Sequence, residues 1–291
     1  MSDKPALQPG ADVGETLIAI ARDLLARVSL EGSSDAEAIH GFRRNVKRWR
    51  AFLRLMQPLI EDEAVRLRLE ARDLARMLAG ARDAQAALDA LADLADDYQT
   101  LSPASLASIK ARIESARADA ESLTLTDEAR EHVLATLAHA ADSIDRWPLV
   151  NVAFSDVAEA LADGYRRARR AQPPDWSTVS AETLHELRSR VVVHRYQMEL
   201  VEPLWPRLGH VWVGEAQRLR ERLGKHQDLA VLAKLTAPRG LLARWRSRLT
   251  PVIEARQRDH IEAAMRMSRR MFAEKPGAFR RRIEALWAAL S

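Results

Sequence analysis

The sequence predicts an all-α protein, and three observations lead to this fold class. Ala, Leu, Arg and Glu, which are all strong helix formers, dominate the 291-residue chain. Glycine and proline are few, with 11 and 12 residues, and runs of β-branched residues are scarce. Hydrophobic residues make up 47% of the chain and charged residues 30%, which is ordinary for a globular protein. Helices are therefore expected to fill the chain and to leave little room for a sheet.

The chain contains an internal repeat. Residues 39–83 align without a gap on residues 184–228, at an offset of 145, and twelve of the 45 aligned pairs are identical. The identical pairs include His40 with His185, Arg43 with Arg188, Arg50 with Arg195, and Pro58 with Pro203. The repeat predicts two related halves, residues 12–147 and 151–290, after a loose tail over residues 1–11.

Each half is predicted to contain four main helices. The helices of the first half are expected at 12–29, 35–57, 62–97 and 103–145, the last broken near residues 124–126. The helices of the second half are expected at 152–171, 180–202, 207–236 and 239–271, with a short terminal helix at 277–290. Because the connections are short and the helices amphipathic, antiparallel bundles are expected.

Local signals support several of these boundaries. A capping-box pattern begins at Ser34, and Pro103 occupies a first helical position. Pro58 and Pro203 are predicted to end the second helix of each half at matching places, because proline lacks the backbone N–H that continues a helix.

The charges are segregated along the chain, although the net charge is only +4. Residues 39–54 hold six Lys and Arg residues and no acid. Residues 84–145 hold twelve acids and four bases, whereas residues 239–291 hold thirteen bases and five acids. This pattern predicts one acidic surface and one basic surface, and the basic surface attracts anions.

The composition also bears on compartment and cofactors. The chain has no cysteine, so a disulfide or thiolate metal site is excluded. Its start lacks the features of a secretory signal, and no apolar stretch reaches the roughly 18 residues of a membrane span. We expect a cytoplasmic protein without membrane contact, metal or cofactor.

The second helix of the first half carries the main functional candidates. At 100° per residue, its outward cations fall within roughly 60° of one line: His40, Arg43, Arg44, Lys47 and Arg54, flanked by Arg48 and Arg50. An apolar stripe with Trp49 lies opposite and is predicted to be core. Because arginine binds phosphate through two hydrogen bonds at once, the row predicts a polyanion site. Acids on neighbouring helices are the alternative partners.

The second half departs from this pattern. His185, Arg188 and Arg195 remain, but Val192, Val193 and Glu199 replace cations of the first half. Lopsided binding is therefore expected, with the first half dominant, and His194 is predicted to be a core residue. Further candidates stand elsewhere, although a helix dipole alone also explains the first two: Arg166, Arg170, Arg82 and Lys225.

The segments IHGFRRNVKRWR and LHELRSRVVVHRY resemble the histidine- and arginine-rich helices of the CHAD family, and LAGARDAQAAL and LGKHQDLAVL are similar to its second motif. The resemblance implies two four-helix bundles related by a pseudo-twofold axis around a central basic groove. It also implies binding of inorganic polyphosphate, association with polyphosphate granules in bacteria, and no catalysis. A polyphosphate-processing enzyme is a conceivable partner. The implied groove residues are the two sets of helix cations named above.

Two alternatives remain open. His185 begins an H-E-L-R segment similar to that of sensor histidine kinases, but no Thr-Pro follows and no nucleotide-binding domain is present. Nucleic-acid binding is the second, because a row of cations attracts any polyanion. Base stacking usually needs exposed aromatic side chains, and aromatic residues make up only 5% of this chain.

Overall fold

The computed structural model describes residues 6–78, 82–95, 102–120 and 126–290. Within these ranges the chain forms ten α-helices and no strand, which confirms the all-α prediction. The helices are α1 (Val13–Ala26), α2 (Asp35–Met77), α3 (Arg82–Ala95), α4 (Pro103–Ala120), α5 (Asp127–Ile144), α6 (Phe154–Arg170), α7 (Ala181–Val201), α8 (Pro206–Leu235), α9 (Arg246–Met271) and α10 (Pro276–Ala288). No helix of the described chain is both long enough and apolar enough to cross a membrane.

Side-chain caps begin several helices where the sequence signals predict them. Ser34 Oγ accepts the backbone N–H of Glu37 at 3.3 Å. The Glu37 carboxylate accepts in return from the backbone of Ser33 at 3.1 Å, so the predicted capping box closes one residue early. Thr126 caps α5, which places a helix start directly after the predicted break. These caps satisfy N–H groups that have no partner inside the helix.

The helix α2 differs from the prediction in two places, at Pro58 and at its carboxyl-terminal end. Pro58 does not end the helix, and the kink falls three residues later at Glu61, whose φ of 42° and ψ of −117° suit glycine better than glutamate. We call residues 35–60 and 62–77 the first and second segments of α2. The predicted single helix 62–97 is wrong, because α2 ends at Met77 and α3 begins at Arg82.

The second half follows its predicted boundaries more closely. The helix α7 ends at Val201 and a 3₁₀ turn over Glu202–Leu204 follows, as Pro203 predicts. The helix α9 begins at Arg246 instead of residue 239. The intervening residues form turns and a short 3₁₀ helix over Ala243–Trp245, and the amide of Leu242 donates to the carbonyl of Leu235 at 2.8 Å.

The main core is shared by both halves of the chain. Trp49 and Trp147 stack with ring centroids 6.3 Å apart between α2 and the segment before α6. Tyr165 stacks on Phe279 at 4.4 Å and joins α6 to α10 in the same core. Leu7 is 1% exposed and belongs to this core. The tail predicted over residues 1–11 is therefore anchored from Leu7 onward, and residues 1–5 lie outside the described chain.

A second core joins α3 and α4 of the first half to α8 and α9 of the second. Its buried residues include Leu91, Ile113, Leu229 and Ile253. Arg112 Nε donates to the carbonyl of Leu241 at 2.9 Å and ties α4 to the turns before α9. Helices from one half thus complete the core of the other.

A buried carboxylate fastens α3 to α8 and α9. The side chain of Asp93 is 3% exposed and accepts from Lys225 Nζ at 2.7 Å, Arg256 Nε at 2.9 Å and His260 Nε2 at 2.7 Å. Burial opposes the charge, but the hydrogen bonds from these three side chains hold the pKa of Asp93 well below its ordinary value. Asp93 is therefore ionised at all ordinary pH values.

Candidate functional site

The first segment of α2 separates apolar and cationic faces as predicted. Its apolar stripe is buried at Phe42, Val46, Trp49, Leu53 and Met56. On the other faces His40, Arg44 and Lys47 are exposed, whereas Arg43, Arg48, Arg50 and Arg54 are half-buried. Four cations of this helix are thus partly withdrawn from water.

Arg50 and Arg54 lie among other arginines. Burial lowers the pKa of Arg50, and the positive charges of Arg68, Arg72 and Arg76 lower it further. Burial also lowers the pKa of Arg54 to about 10, with additional effects of Arg50, Arg68 and Arg190. Asp73 and Glu186 act in the opposite direction but do not cancel the shifts.

We call the set Arg50, Arg54, Arg68, Arg72, Arg76 and Arg190 the arginine cluster. It combines both segments of α2 with α7. Arg68 donates to Gln57 Oε1 at 2.7 Å across the kink of α2. Sequence reasoning missed its three members on the second segment, although they recur every four residues on one helix face. Acidic residues lie among these arginines in the sequence, so the pattern resembles an ordinary exposed helix face of mixed charge.

A crevice adjoins the cluster where α2, α6 and α7 meet. Arg54, Arg167 and Arg190 line it together with Asp163. Gln197 of α7 links this helix to α2, because its side-chain amide donates to the carbonyl of Ala51 at 3.3 Å, and its side-chain oxygen lies against α6.

At that contact α6 carries Gly164, and a Cβ there would lie 2.1 Å from the Gln197 side-chain oxygen. The absence of a side chain at Gly164 therefore permits the close approach that brings α6 beside the cluster.

The matching cations of the second half have neutral or acidic partners. Arg188 Nη1 donates to Gln227 Oε1 at 2.6 Å, and the amide of Gln227 donates to Nδ1 of His185 at 2.6 Å. Arg195 Nη1 donates to Gln217 Oε1 at 2.9 Å and forms an ion pair with Glu199 at 3.3 Å. These side chains are held between α7 and α8.

Alignment of the two halves at an offset of 145 shows that the charge is reversed at positions next to Arg195. Gln217 and Glu199, the partners of Arg195, correspond to Arg72 and Arg54 in the first half. Glu221 accepts from Gln217 and corresponds to Arg76. Arg195, which has acceptors as partners in the second half, thus has a counterpart, Arg50, whose neighbours are three arginines and Asp73.

Two further predicted site residues, Arg48 and Arg166, have acidic partners. Arg48 pairs with Glu199 at 3.3 Å and lies 5.5 Å from the ring of Tyr196. Arg166 pairs with Asp163 and Glu159 on its own helix.

The other three predicted candidates lie on α8, α6 and α3. Lys225 is directed to the buried Asp93 of α3. Arg170 is exposed at the end of α6, and the side chain of Arg82 lies outside the described residues.

The histidines offer no visible metal centre. Among the described residues no three His, Asp or Glu side chains are close enough together to hold a metal ion. His194 is 1% exposed and packs between Tyr165, Phe272 and Phe279, which confirms that it is a core residue. Burial lowers its pKa to about 3, so it is neutral in the folded protein.

These features define a class: an all-helical protein with an internal repeat, shared cores and a partly buried arginine cluster drawn mainly from the first half. A family model described as the CHAD domain matches residues 17–237, and the chain belongs to the CHAD family. The crystal structure of the CHAD domain from the plant Ricinus communis has the same fold, with a TM-score of 0.54 over 97% of this chain and 95% of that chain, at 19% identity. The predicted family is therefore confirmed. A comparison with curated proteins gave no match.

Proposed function

We propose that this CHAD protein binds inorganic polyphosphate at the arginine cluster and does not transform it. One observation carries the proposal: several arginines crowd a partly buried region, where burial, together with the charges of Arg50, Arg68 and Arg190, lowers the pKa of Arg54 to about 10. Such crowding opposes folding of the free protein. Arg72 and Arg76 pair with Asp73 at 3.0 and 3.8 Å, and Arg190 pairs with Glu186 at 2.6 Å. A bound polyanion adds further negative charge at Arg50, Arg54 and Arg68 and so relieves the remaining repulsion.

The spacing of the cluster favours a chain of phosphates over a single small anion. Arg50 and Arg54 are separated by four residues on one segment of α2, as are Arg68, Arg72 and Arg76 on the other. Four residues advance a helix by about 6 Å, so each segment offers guanidinium groups at repeated intervals. Arginine forks can engage successive phosphates of a linear polymer along both rows.

Membership of the CHAD family supports this ligand, because CHAD domains are known in general for polyphosphate binding. The reversal of charge between the halves supports a lopsided site in which the first half dominates. We also propose that the halves form two four-helix bundles with pseudo-twofold symmetry, that the protein acts in the cytoplasm on polyphosphate granules, and that a polyphosphate-processing enzyme is its partner.

The test is a triple variant in which Arg50, Arg54 and Arg68 are replaced by glutamine. A hydrogen bond to a charged group contributes about 1.5–3 kcal/mol, so each lost contact corresponds to about a tenfold loss of affinity or more. Titration calorimetry with long-chain polyphosphate should show at least about a hundredfold weaker binding. The variant should fold, because the substitutions remove repulsion.

The matched control replaces Arg246, Arg248 and Arg258 by glutamine. These three arginines are exposed on α9, so the control loses the same net charge at another surface. Unchanged binding is expected. Equal losses in both triple variants would reject the arginine cluster as the site.

The same proteins separate the alternatives. Duplex DNA should displace polyphosphate poorly, and displacement at equal phosphate concentration would instead indicate a general polyanion-binding protein. For phosphotransfer, incubation with a low-molecular-weight phosphodonor should leave no acid-labile phosphate on the protein. Labelling of His185 would contradict the non-catalytic function.

A further inference from the structure

The carboxyl-terminal ends of α6 and α9 are joined by direct contacts. Arg169 Nε donates to the carbonyl of Phe272 at 3.1 Å, and Ser268 Oγ donates to Gln172 Oε1 at 3.0 Å. The hydroxyl of Tyr165 lies 3.3 Å from the carbonyl of Met271. The last turns of these two helices therefore form one continuous surface.

This surface is strongly cationic. Exposed side chains on the two helix ends and the following turn are Arg169, Arg170, Arg269, Arg270 and Lys275. Of the acids nearby in sequence, Glu274 is engaged by Arg282 at 3.1 and 2.5 Å, and Asp175 accepts from Ser177 and Thr178. The dipole of a helix favours cations at its carboxyl end, but its partial charge is only about half an elementary charge. It does not balance five cations.

The surface adjoins the arginine cluster through α6. Arg167 lines the crevice beside Arg54 and Arg190. Burial lowers the pKa of Arg68, and the charge of Arg167 lowers it further. Arg170 follows Arg167 by three residues and lies on the same face of α6, one turn further from the cluster. A path of cations thus leads from α2 over α6 to the end of α9.

We propose that a polyphosphate chain seated in the arginine cluster continues across the ends of α6 and α9, which makes the affinity depend on chain length. This inference rests on the proposed function. A short anion occupies the cluster alone, whereas a long chain engages both surfaces at once. For a long chain the second contact is intramolecular and raises the affinity, whereas a short anion that fills the arginine cluster gains nothing from it.

The test replaces Arg170, Arg269 and Arg270 by glutamine and compares tripolyphosphate with long-chain polyphosphate. Arg169 is kept, because its hydrogen bond to Phe272 supports the structure. The variant should bind tripolyphosphate as the unchanged protein does. Its affinity for long-chain polyphosphate should fall about tenfold, with a smaller dependence on salt, because fewer phosphates are contacted.

The control is again the α9 variant of Arg246, Arg248 and Arg258, for which both ligands should bind normally. Equal affinity of the α6–α9 variant and the unchanged protein for long chains would overturn the extension while leaving the proposed function intact. An equal loss for both ligands would also overturn it, because the surface would then be part of the primary site. Absence of binding by the unchanged protein would reject the proposed function itself.

Discussion

Arg54 and His194 show how the same physical effect has different consequences at two positions. Burial lowers the pKa of both side chains. His194 loses its proton and becomes an ordinary core residue among aromatic rings. Arg54 keeps its charge at neutral pH, because its pKa of about 10 is still well above that range. A charged arginine in such surroundings is a candidate for a functional role, and the proposed polyanion would supply its counter-charge.

We predict that His194 makes the free energy of unfolding depend on pH. Its folded pKa of about 3 is lower than the ordinary value, so the unfolded chain takes up a proton first as the pH falls through about 6.5. Stability is therefore lost on acidification, by about 2 kcal/mol between pH 7 and pH 5 for this one residue. Denaturant unfolding of His194→Leu should show a correspondingly smaller change over this interval.

His132 provides the control for this prediction. It is exposed on α5, so His132→Gln replaces a histidine without changing the core. If His194→Leu kept the full pH dependence, the histidine would have to be protonated in the folded state.

The residue scale also shows what the sequence could and could not predict. The hydrophobic periodicity within each helix was sufficient to assign Trp49 of α2 and His194 of α7 to the core. It could not identify Arg68 or Arg72 as site residues, because their role depends on the kink at Glu61 that turns the second segment of α2 back on the first. A kink at a residue other than glycine or proline leaves little signal in the sequence.

At the scale of elements, α3 and α4 belong to the first half in sequence but pack on α8 and α9. Caps and periodicity are local, so they predicted most helix boundaries of the second half, whereas the predicted helices 35–57 and 62–97 differ from α2 and α3. The internal repeat did not predict this exchange of packing partners, because an amphipathic helix specifies which face is buried and not what covers it. Asp93 is the polar part of the contact.

We predict that Asp93→Asn loosens α3 and α4 selectively. The substitution leaves Arg256 and the fully buried His260 without their carboxylate, and breaking a buried ion pair costs about 3–5 kcal/mol. Hydrogen exchange of residues 82–95 and 103–120 should accelerate. Exchange in α6 and the affinity of the arginine cluster for polyphosphate should change little.

Asp89→Asn is the matched control, because Asp89 lies one turn earlier on α3 and is exposed.

The free energy of unfolding at low pH gives a second check on Asp93. Its pKa is lowered, so its contribution is present above the ordinary aspartate value and is lost only as the pH falls towards the much lower folded value. Release of α3 at pH 4 in the unchanged protein would contradict the assignment.

At the scale of the whole molecule, the net charge of +4 conceals a strong separation of charge. The sequence predicted this separation and the lopsided halves, since both depend only on which residues are present. What the sequence could not show is how far positive charges are withdrawn from water. That property decides whether a basic surface merely attracts anions or is destabilised without them.

We therefore predict that stability and polyphosphate binding are opposed in this protein. In the absence of ligand, the variant with Arg50, Arg54 and Arg68 replaced by glutamine should melt at a higher temperature than the unchanged protein, because like charges no longer crowd the region between α2 and α7. Scanning calorimetry at low and moderate ionic strength checks the cause. Added salt screens repulsion, so it should raise the melting temperature of the unchanged protein more than that of the variant.

Saturating polyphosphate should reverse the order. A ligand that binds only the folded state at a hundred times its dissociation constant stabilises by about 2.7 kcal/mol, which raises the melting temperature of the unchanged protein by several degrees. The variant should gain almost nothing. A ligand-free variant that melts lower than the unchanged protein would mean that these arginines stabilise the fold, and their crowding would then carry no argument for an anion.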